Sequence, residues 1–321
     1  MIKVENLVKH YGDKYAVNNI SFTVGEKQIV GLLGPNGAGK STTMNILTGF
    51  LSASSGKVEI DGHDILDDTM AAKRSIGYLP EIPPVYPDMT VKEYLNFVYE
   101  LKGCTLNRRK HIEEIVNVTK IADVYNRVIG NLSRGYKQRV GIAQALIGNP
   151  KVIILDEPTI GLDPKQIVEV RNLIRTLGHN HTVILSTHIL SEVQAVCDRV
   201  VIINKGRIMA DKPIDEISDA VVTRCRLEAA ICGPVKEVLY AIRTLNGVTR
   251  CDSLKTDGDT TTYIIESEAG LDIRKPLFNL LSSRGWPLVG LNTMGMSLED
   301  IFIALTVDPT KGKSAKAKFV K

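Results

Sequence analysis

Short apolar runs alternate with longer stretches of helical period along the first two thirds of the chain. The runs are Gln28–Leu33, Val152–Leu155 and Thr182–Leu185, and each of them ends in polar residues. Runs of this length and setting are typical of strands that are buried on both faces of a mostly parallel sheet. The helical stretches are Lys40–Leu51, Val91–Leu101, Arg108–Ile121, Ser133–Ile147 and Pro164–Leu177. This order predicts an α/β domain over residues 1–218.

After about residue 218 the pattern changes to that of a smaller α+β domain. Strand, helix, two strands, helix and strand are predicted in turn at Val222–Ala229, Pro234–Leu245, Val248–Lys255, Thr260–Glu266, Asp272–Ser283 and Pro287–Thr293. The βαββαβ order is ferredoxin-like, and a turn cluster at 256–259 favours a hairpin between the two central strands. A last helix is predicted at Ser297–Leu305. We therefore expect an accessory domain at 219–306 and a basic, disordered tail at 307–321.

Composition and charge narrow the classes of protein that fit this pattern. The chain has 321 residues, of which 44% are apolar and 24% charged, as is typical of a globular protein with two domains. It has no uncharged apolar stretch of about 18 residues, and its first residues lack a signal-peptide core, so we expect a cytoplasmic protein. Five lysines in the tail, against Asp308 as its one acid, account for the net charge of +4. The rest of the chain is balanced in charge, which disfavours a nucleic-acid partner.

A glycine-rich loop lies between the first apolar run and the first helical stretch. Its residues Gly34, Pro35, Asn36, Gly37, Ala38, Gly39, Lys40 and Ser41 match the pattern G-x-x-x-x-G-K-[ST], and Thr42 follows as a further nucleotide contact. Glycines let a backbone wrap tightly so that its N–H groups point at phosphate oxygens, and the helix N-terminus adds partial positive charge. Lys40 would then reach the β- and γ-phosphates of ATP, and Ser41 would bind Mg²⁺. The plainer alternative is a glycine turn before a helix.

The other two apolar runs also end in residues with candidate chemistry. The segment KVIILDEP at 151–158 places two carboxylates at the carboxyl end of a strand, where α/β sheets bind ligands. Asp156 is placed to hold Mg²⁺ through water, and Glu157 suits the base for the attacking water. His188 follows the third run, and its imidazole could hydrogen-bond the γ-phosphate. The alternatives are an acidic turn that caps a helix and an ordinary histidine.

With these motifs in place, the chain resembles the nucleotide-binding subunits of ATP-binding-cassette (ABC) transporters. The segment NLSRGYKQR at 131–139 lies where that family has its LSGGQ signature. Leu132, Ser133 and Gly135 match it, whereas Arg134 and Tyr136 replace a glycine and a glutamine. Ser133 is a suitable N-cap for the next helix, whose N-terminal end could contact a phosphate; without the other motifs, an ordinary capped helix would be the better interpretation. The resemblance implies a P-loop NTPase cassette with a helical signature subdomain.

The same resemblance implies that two cassettes pack head to tail about a two-fold axis, as a homodimer or with a paralogue. Each ATP would lie between the phosphate loop of one subunit and the signature residues Ser133 and Gly135 of the other. Asp163 belongs to the segment Gly161–Pro164, which matches the family's D-loop. In this family the D-loop communicates across the interface between the two subunits.

Tyr11 and Glu81 are single positions to which the resemblance gives a role. Tyr11 is where the family stacks an aromatic ring on adenine; Tyr15 is the competing candidate, and plain packing is the alternative. Glu81 stands where the family usually has glutamine, and a carboxylate can still bind Mg²⁺. Glu81, the signature variant and the C-terminal extension together resemble the subset that serves ABC-2-type exporters, including gliding-motility and drug-export ATPases.

The predicted function is therefore that of an ATPase subunit, peripheral on the inner face of the cell membrane, that powers export through a separate transmembrane permease. By resemblance, the stiff segment Pro83–Pro87 lines the groove for a permease helix, and a plain loop is the alternative. An importer subunit is one rival, but importers usually keep glutamine at the Glu81 position. The other rival is a non-transport ATPase that acts on ribosomes or DNA. Ribosome-acting members usually have two cassettes in one chain, and the 92 residues between Lys40 and Ser133 leave no room for the coiled coils of DNA-repair members.

Overall fold

The chain forms two compact units in the computed structural model, which describes residues 2–216, 226–268 and 271–294. The units are Met1–Ile214 and Asp215–Lys321, where the sequence predicted a boundary at 218. The start of the first predicted C-terminal strand, the predicted helix Ser297–Leu305 and the tail at 307–321 lie outside the described residues. None of the helices within the described ranges combines the length and the apolar character that a membrane crossing requires.

The first unit contains ten strands and seven α-helices among its described residues. The strands are β1 (Ile2–Tyr11), β2 (Lys14–Val24), β3 (Ile29–Leu33), β4 (Ser55–Ile60), β5 (His63–Asp64), β6 (Ile76–Leu79), β7 (Val152–Asp156), β8 (Thr182–Thr187), β9 (Arg199–Asn204) and β10 (Arg207–Pro213). The helices are α1 (Lys40–Leu47), α2 (Thr69–Arg74), α3 (Val91–Leu101), α4 (Arg108–Thr119), α5 (Arg134–Leu146), α6 (Pro164–Gly178) and α7 (Leu190–Val196). All three strands and five helices predicted for this region are present, with small differences at their ends.

The predicted buried strands lie in a six-stranded sheet with the order β10-β9-β3-β8-β7-β6. Neighbouring strands are parallel, except that β10 pairs antiparallel with β9. Every residue of β3, β7 and β8 is buried, as expected for short apolar strands that are covered on both faces. The predicted α/β class is confirmed.

A second sheet, which the sequence analysis did not predict, is antiparallel and has the order β2-β1-β4-β5. Along the start of β1, Ile2 and Val4 are buried while Lys3 between them is not, which is the period of two expected for a strand with one covered face. Ile2 belongs to the same apolar core as Val30 of β3 and Ile154 of β7. The antiparallel sheet therefore supports the strands that precede the candidate site.

Helices α3, α4 and α5 pack against one another, and both ends of α5 are held. At its N-terminus the hydroxyl of Ser133 accepts a hydrogen bond from the backbone N–H of Tyr136, so the predicted cap is confirmed. At its C-terminal end the Lys102 ammonium donates to three carbonyl oxygens, those of Gln144, Ala145 and Ile147. These bonds supply donors to carbonyls at the end of the helix, of which that of Gln144 also accepts from the N–H of Ile147. The position of the signature segment is thus fixed relative to α3.

The second unit is built from four strands and two helices within its described residues. They are β11 (Arg226–Cys232), α8 (Val235–Arg243), β12 (Val248–Asp257), β13 (Thr260–Ser267), α9 (Arg274–Ser283) and β14 (Leu288–Met294). The antiparallel sheet order is β12-β13-β11-β14, so the predicted βαββαβ order is ferredoxin-like in space as well as in sequence. Leu227, Ile265 and Tyr263 of the sheet form a core with Ile242 of α8 and Leu277 of α9.

Candidate functional site

Three loops with candidate chemistry meet at one edge of the parallel sheet. Strands β3, β8 and β7 are neighbours in that order and run in the same direction. Their carboxyl ends therefore lie side by side, which is where open α/β sheets bind ligands. The glycine-rich loop follows β3, Asp156 and Glu157 end β7, and His188 follows β8.

The backbone of the glycine-rich loop requires glycine at Gly39 for two reasons. Gly39 has a φ of +110°, a conformation that side chains rarely permit, and a Cβ atom there would lie 2.5 Å from the carbonyl oxygen of Ala16. Gly37 also has a positive φ, of +77°, but a Cβ atom there would meet nothing within 4 Å. The loop is thus packed tightly against β2 on one side and open on the other. The open side leaves room for phosphate groups against the backbone.

Lys40, the first residue of α1, extends back over the loop. Its side chain is only 6% exposed. The ammonium group donates to the carbonyl oxygen of Gly34 at 2.8 Å and lies 3.4 Å from that of Pro35. It also lies 3.7 Å from Oε1 of Glu157, so the two predicted catalytic residues form a buried ion pair.

Glu157 is held in place by backbone and side-chain contacts from the neighbouring strand. Its φ is +48°, in the left-handed region, and its N–H donates to the carbonyl and hydroxyl oxygens of Ser186 at 3.2 and 3.1 Å. The carboxylates of the two neighbouring residues have different partners, since that of Asp156 accepts from the Ser186 hydroxyl. The Nδ1 atom of His188 lies 2.9 Å from Oε2 of Glu157, and the ring N–H donates in this hydrogen bond. Glu157 therefore contacts both Lys40 and His188.

Asp156 and Ser41 differ in their access to the site. Asp156 is 5% exposed, and its carboxylate accepts a hydrogen bond from the Ser186 hydroxyl. Ser41 is exposed in the cleft described below, as is Glu81. Carboxylate and hydroxyl oxygens suit Mg²⁺, which usually takes one or two protein ligands together with substrate phosphates and water. The Ser41 hydroxyl and the Asp156 and Glu81 carboxylates are oxygen donors that fit this mode. Within the described ranges no group of three or more His, Cys, Asp or Glu side chains could hold a metal ion.

A cleft of about 540 Å³ opens above these residues. It is lined by Tyr11, Lys14, Tyr15, Ala16, Asn36, Gly37, Gly39, Lys40, Ser41, Thr42, Glu81, Glu157, Ile160 and His188. Tyr11 and Tyr15 are both about half exposed and both line it, so the choice between them as adenine platform stays open. Four of the predicted site residues do not line the cleft, namely Gly34, Pro35, Ala38 and Asp156. Lys14, Ala16 and Ile160 were not predicted, because nothing in the sequence indicates which loop residues approach the cleft.

The signature residues lie away from this cleft and pack against the D-loop segment of the same chain. Asp163 is the N-cap of α6, and its carboxylate accepts from the N–H of Gln166 at 2.9 Å. A Cβ atom on Gly135 would lie 2.5 Å from the Gln166 amide carbon, and one on Gly161 equally close to Cζ of Arg134. The two segments therefore interlock through glycines. The role of Ser133, Gly135 and Asp163 toward nucleotide is taken up under the proposed function.

These features define a P-loop nucleotide-binding cassette, and comparison with known proteins identifies its family. The family model for ABC transporters matches residues 17–160. The chain is 37% identical over 219 residues to the bacitracin transport ATP-binding protein of Bacillus licheniformis, which covers 68% of this chain and 71% of that protein. It is 31% identical over 314 residues to the linearmycin resistance ATP-binding protein of Bacillus subtilis, and the match covers 95% of this chain and 98% of that protein. The chain belongs to the ABC transporter ATP-binding proteins.

A solved structure supports the same assignment. It is a dimeric ATP-binding cassette in a post-hydrolysis state bound to ADP and Pi. It has 28% identity and a TM-score of 0.60 and covers 67% of this chain and 99% of that chain. The predicted cassette fold, nucleotide binding and ABC-type ATPase class are thereby confirmed. The similarity to the linearmycin resistance protein also extends over the second unit.

Proposed function

We propose that the chain is the ATP-hydrolysing subunit of an ABC exporter and powers transport through a separate membrane permease. The contacts of Glu157 with both Lys40 and His188 beside an open phosphate loop are the observation that carries this proposal. Relatives named for bacitracin transport and linearmycin resistance support export as the direction. An importer subunit is disfavoured by the same names. A role on ribosomes or DNA finds no support in the relatives, and we expect no nucleic-acid partner.

The glycine-rich loop and Lys40 would bind the phosphates of ATP. Gly37 leaves its side of the loop open, so backbone N–H groups can approach phosphate oxygens. The Lys40 ammonium is satisfied by loop carbonyls and by Glu157, and a γ-phosphate would replace these partners with a stronger anion. Ser41, Glu81 and Asp156, the last through water, would hold Mg²⁺, which supplies charge neutralisation between the phosphates when bound. Tyr11 or Tyr15 would stack on the adenine ring.

Glu157 would act as the base that accepts a proton from the attacking water. Oε2 of Glu157 accepts a hydrogen bond from Nδ1 of His188, and Oε1 lies 3.7 Å from the Lys40 ammonium at the phosphate loop. Because Nδ1 of His188 is engaged with Glu157, Nε2 is the ring atom left to contact the γ-phosphate. The base is thus oriented before substrate arrives, which lowers the reorganisation needed in the transition state.

The proposal includes two kinds of protein partner. Ser133, Gly135 and Asp163 lie outside the cleft of their own chain, which suits a second ATPase subunit whose bound ATP they would contact. Ile82 and Tyr86, next to Glu81, are 80% and 52% exposed and offer an apolar surface for a permease helix. The chain would then work at the inner face of the membrane without crossing it.

Glu157→Gln tests the proposal. The wild-type chain should hydrolyse ATP, and the variant should bind ATP with almost no turnover and elute as an ATP-dependent dimer in size-exclusion chromatography. The exposed carboxylate of Glu113 provides a matched control, since Glu113→Gln should leave turnover unchanged. Turnover near wild type in Glu157→Gln would remove Glu157 from the role of base. In a detergent pull-down, a hydrophobic multi-span partner supports the proposal, whereas ribosomal or DNA partners would refute it.

A further inference from the structure

A buried carboxylate lies behind the site in the first turn of α7. Glu192 is 3% exposed and does not line the cleft. Both of its oxygens accept hydrogen bonds from hydroxyl groups: Oε2 from Thr187 at 2.7 Å, and Oε1 from Thr159. No basic side chain pairs with it among the residues that the structure describes, so these hydroxyls and the N-terminal end of α7 stabilise its charge.

The two hydroxyl donors lie at the two loops that carry Glu157 and His188, and Thr187 is the last residue of β8. Thr187 directly precedes His188, and its hydroxyl also accepts from the N–H of Ile189 at 3.0 Å, so it fixes the backbone on both sides of the histidine. Thr159 lies two residues after Glu157 in the loop that follows β7. Glu192 is therefore the one side chain on α7 that is hydrogen-bonded to both loops.

We propose that Glu192 is a positioning residue that sets the contact between Glu157 and His188. This inference rests on the proposed function, because it concerns the geometry of that hydrolytic site. A carboxylate is an acceptor at both oxygens, which is what two hydroxyl donors from different loops require. In an amide of the same shape an NH₂ donor replaces one oxygen, so the hydroxyl on that side would have to turn and accept, and a neutral hydrogen bond would replace a stronger one to the carboxylate.

The position of Glu192 predicts which step it affects. It has no contact with the glycine-rich loop or Lys40, so it should not alter the binding of ATP. Weakening or reversal of one of these hydrogen bonds should instead displace Glu157 relative to His188 and slow the chemical step, since small misplacements of reacting groups cost large factors in rate. If Glu192 had a purely structural role, its substitution would lower the amount of folded protein, and it would not lower kcat while leaving KM unchanged.

The test compares Glu192→Gln with the control Glu113→Gln in the full chain. We expect kcat for ATP hydrolysis to fall roughly 10- to 100-fold in Glu192→Gln, with KM changed less than about threefold. Thr187→Val and Thr159→Val should each lower kcat in the same way, because valine removes the hydroxyl and keeps the shape. Thr187→Ser and Thr159→Ser retain the hydroxyl and should restore most of the activity. A kcat within twofold of wild type in Glu192→Gln and in both valine variants would overturn the inference.

A second measurement does not depend on turnover. The imidazole NMR resonances of His188, assigned by comparison with His188→Gln, should move in Glu192→Gln and stay in place in Glu113→Gln. Unmoved resonances in folded Glu192→Gln would also overturn the inference. Absence of ATPase activity in the wild-type chain would overturn the proposed function instead, and the resonances would still decide the role of Glu192. If Glu192→Gln melts at a much lower temperature than wild type, the His188 resonances are measured in Thr187→Val and Thr159→Val instead. They should move in both variants, and unmoved resonances in both would overturn the inference.

Discussion

The Lys40 ammonium and the Glu157 carboxylate lie 3.7 Å apart, and both side chains are less than a tenth exposed. A buried charge that loses its partner is costly, because no water replaces the lost interaction. His188 still contacts Glu157 from the other side, which offsets part of that cost. The nucleotide-free protein therefore depends on the same two residues that ATP would use.

Lys40→Met should abolish ATP binding and also destabilise the nucleotide-free protein. We expect a loss of about 2 kcal/mol in the free energy of unfolding by urea, since Glu157 is left with one partner. The double variant Lys40→Met with Glu157→Gln should regain most of that stability while still failing to bind ATP. A stability that falls further in the double variant would contradict the ion-pair account.

Gly37→Ala and Gly39→Ala form a matched pair within one loop. Gly37→Ala should fold, with a loss of about 1 kcal/mol from its positive φ, since its Cβ atom has open space. Gly39→Ala should lose at least about 3 kcal/mol, because its Cβ atom would meet the Ala16 carbonyl oxygen as well. Urea unfolding of both variants measures the difference. Equal losses would show that the packing against Ala16 is not what requires glycine.

Gly161→Ala should disturb the contact between the D-loop and the signature segment. Its Cβ atom would overlap the guanidinium of Arg134, which would have to move, and its φ of +68° adds strain. We expect a loss of about 1–2 kcal/mol in unfolding free energy. In an Arg134→Gly background the same substitution should cost less, since only the strain remains. Equal costs in both backgrounds would mean that Arg134 does not pack on Gly161.

The cysteines should differ in their reaction with iodoacetamide. Burial raises the pKa of the Cys251 thiol to about 11 and raises that of Cys197 further, whereas Cys104 and Cys232 are half-buried. At pH 8 the thiolate of Cys251 is about a thousandth of the total, and its modification should rise roughly tenfold per pH unit toward 11. Among the four cysteines that the structure describes, peptide mass spectrometry should find Cys104 and Cys232 modified before Cys197 and Cys251. Modification of Cys251 at the rate of Cys104 would contradict its burial.

The sequence predicts most of the candidate site because its chemistry lies at the ends of local patterns. Lys40 and Glu157 each follow a short apolar run, and parallel strands bring such ends to one edge of a sheet. The sequence analysis does not predict the antiparallel sheet of the first unit, because within residues 1–218 it assigns strands to continuous apolar runs, whereas β1 begins with alternating apolar and polar residues. That alternation is the pattern that would have predicted it.

Glu192 could not have been predicted in the same way. In sequence it stands among Leu190, Ser191 and Gln194, where a glutamate is typical of a solvated helix face. Its burial depends on the position of α7 relative to the loops after β7 and β8, which no local pattern specifies. Its two hydroxyl partners, Thr159 and Thr187, are 28 residues apart in the chain and meet only through this carboxylate.

The adjacency of β3, β8 and β7 also bears on how such a chain can evolve. Backbone hydrogen bonds between these strands, and not the side chains of the site, set the spacing of its three loops. A duplicated gene in which glutamine replaced Glu157 or His188 would therefore still encode a folded cassette with the same strand order and phosphate loop. Under the proposed two-subunit arrangement, such a copy could pair with an active chain. An asymmetric pair with one working site is then a step that selection can reach without rebuilding the fold.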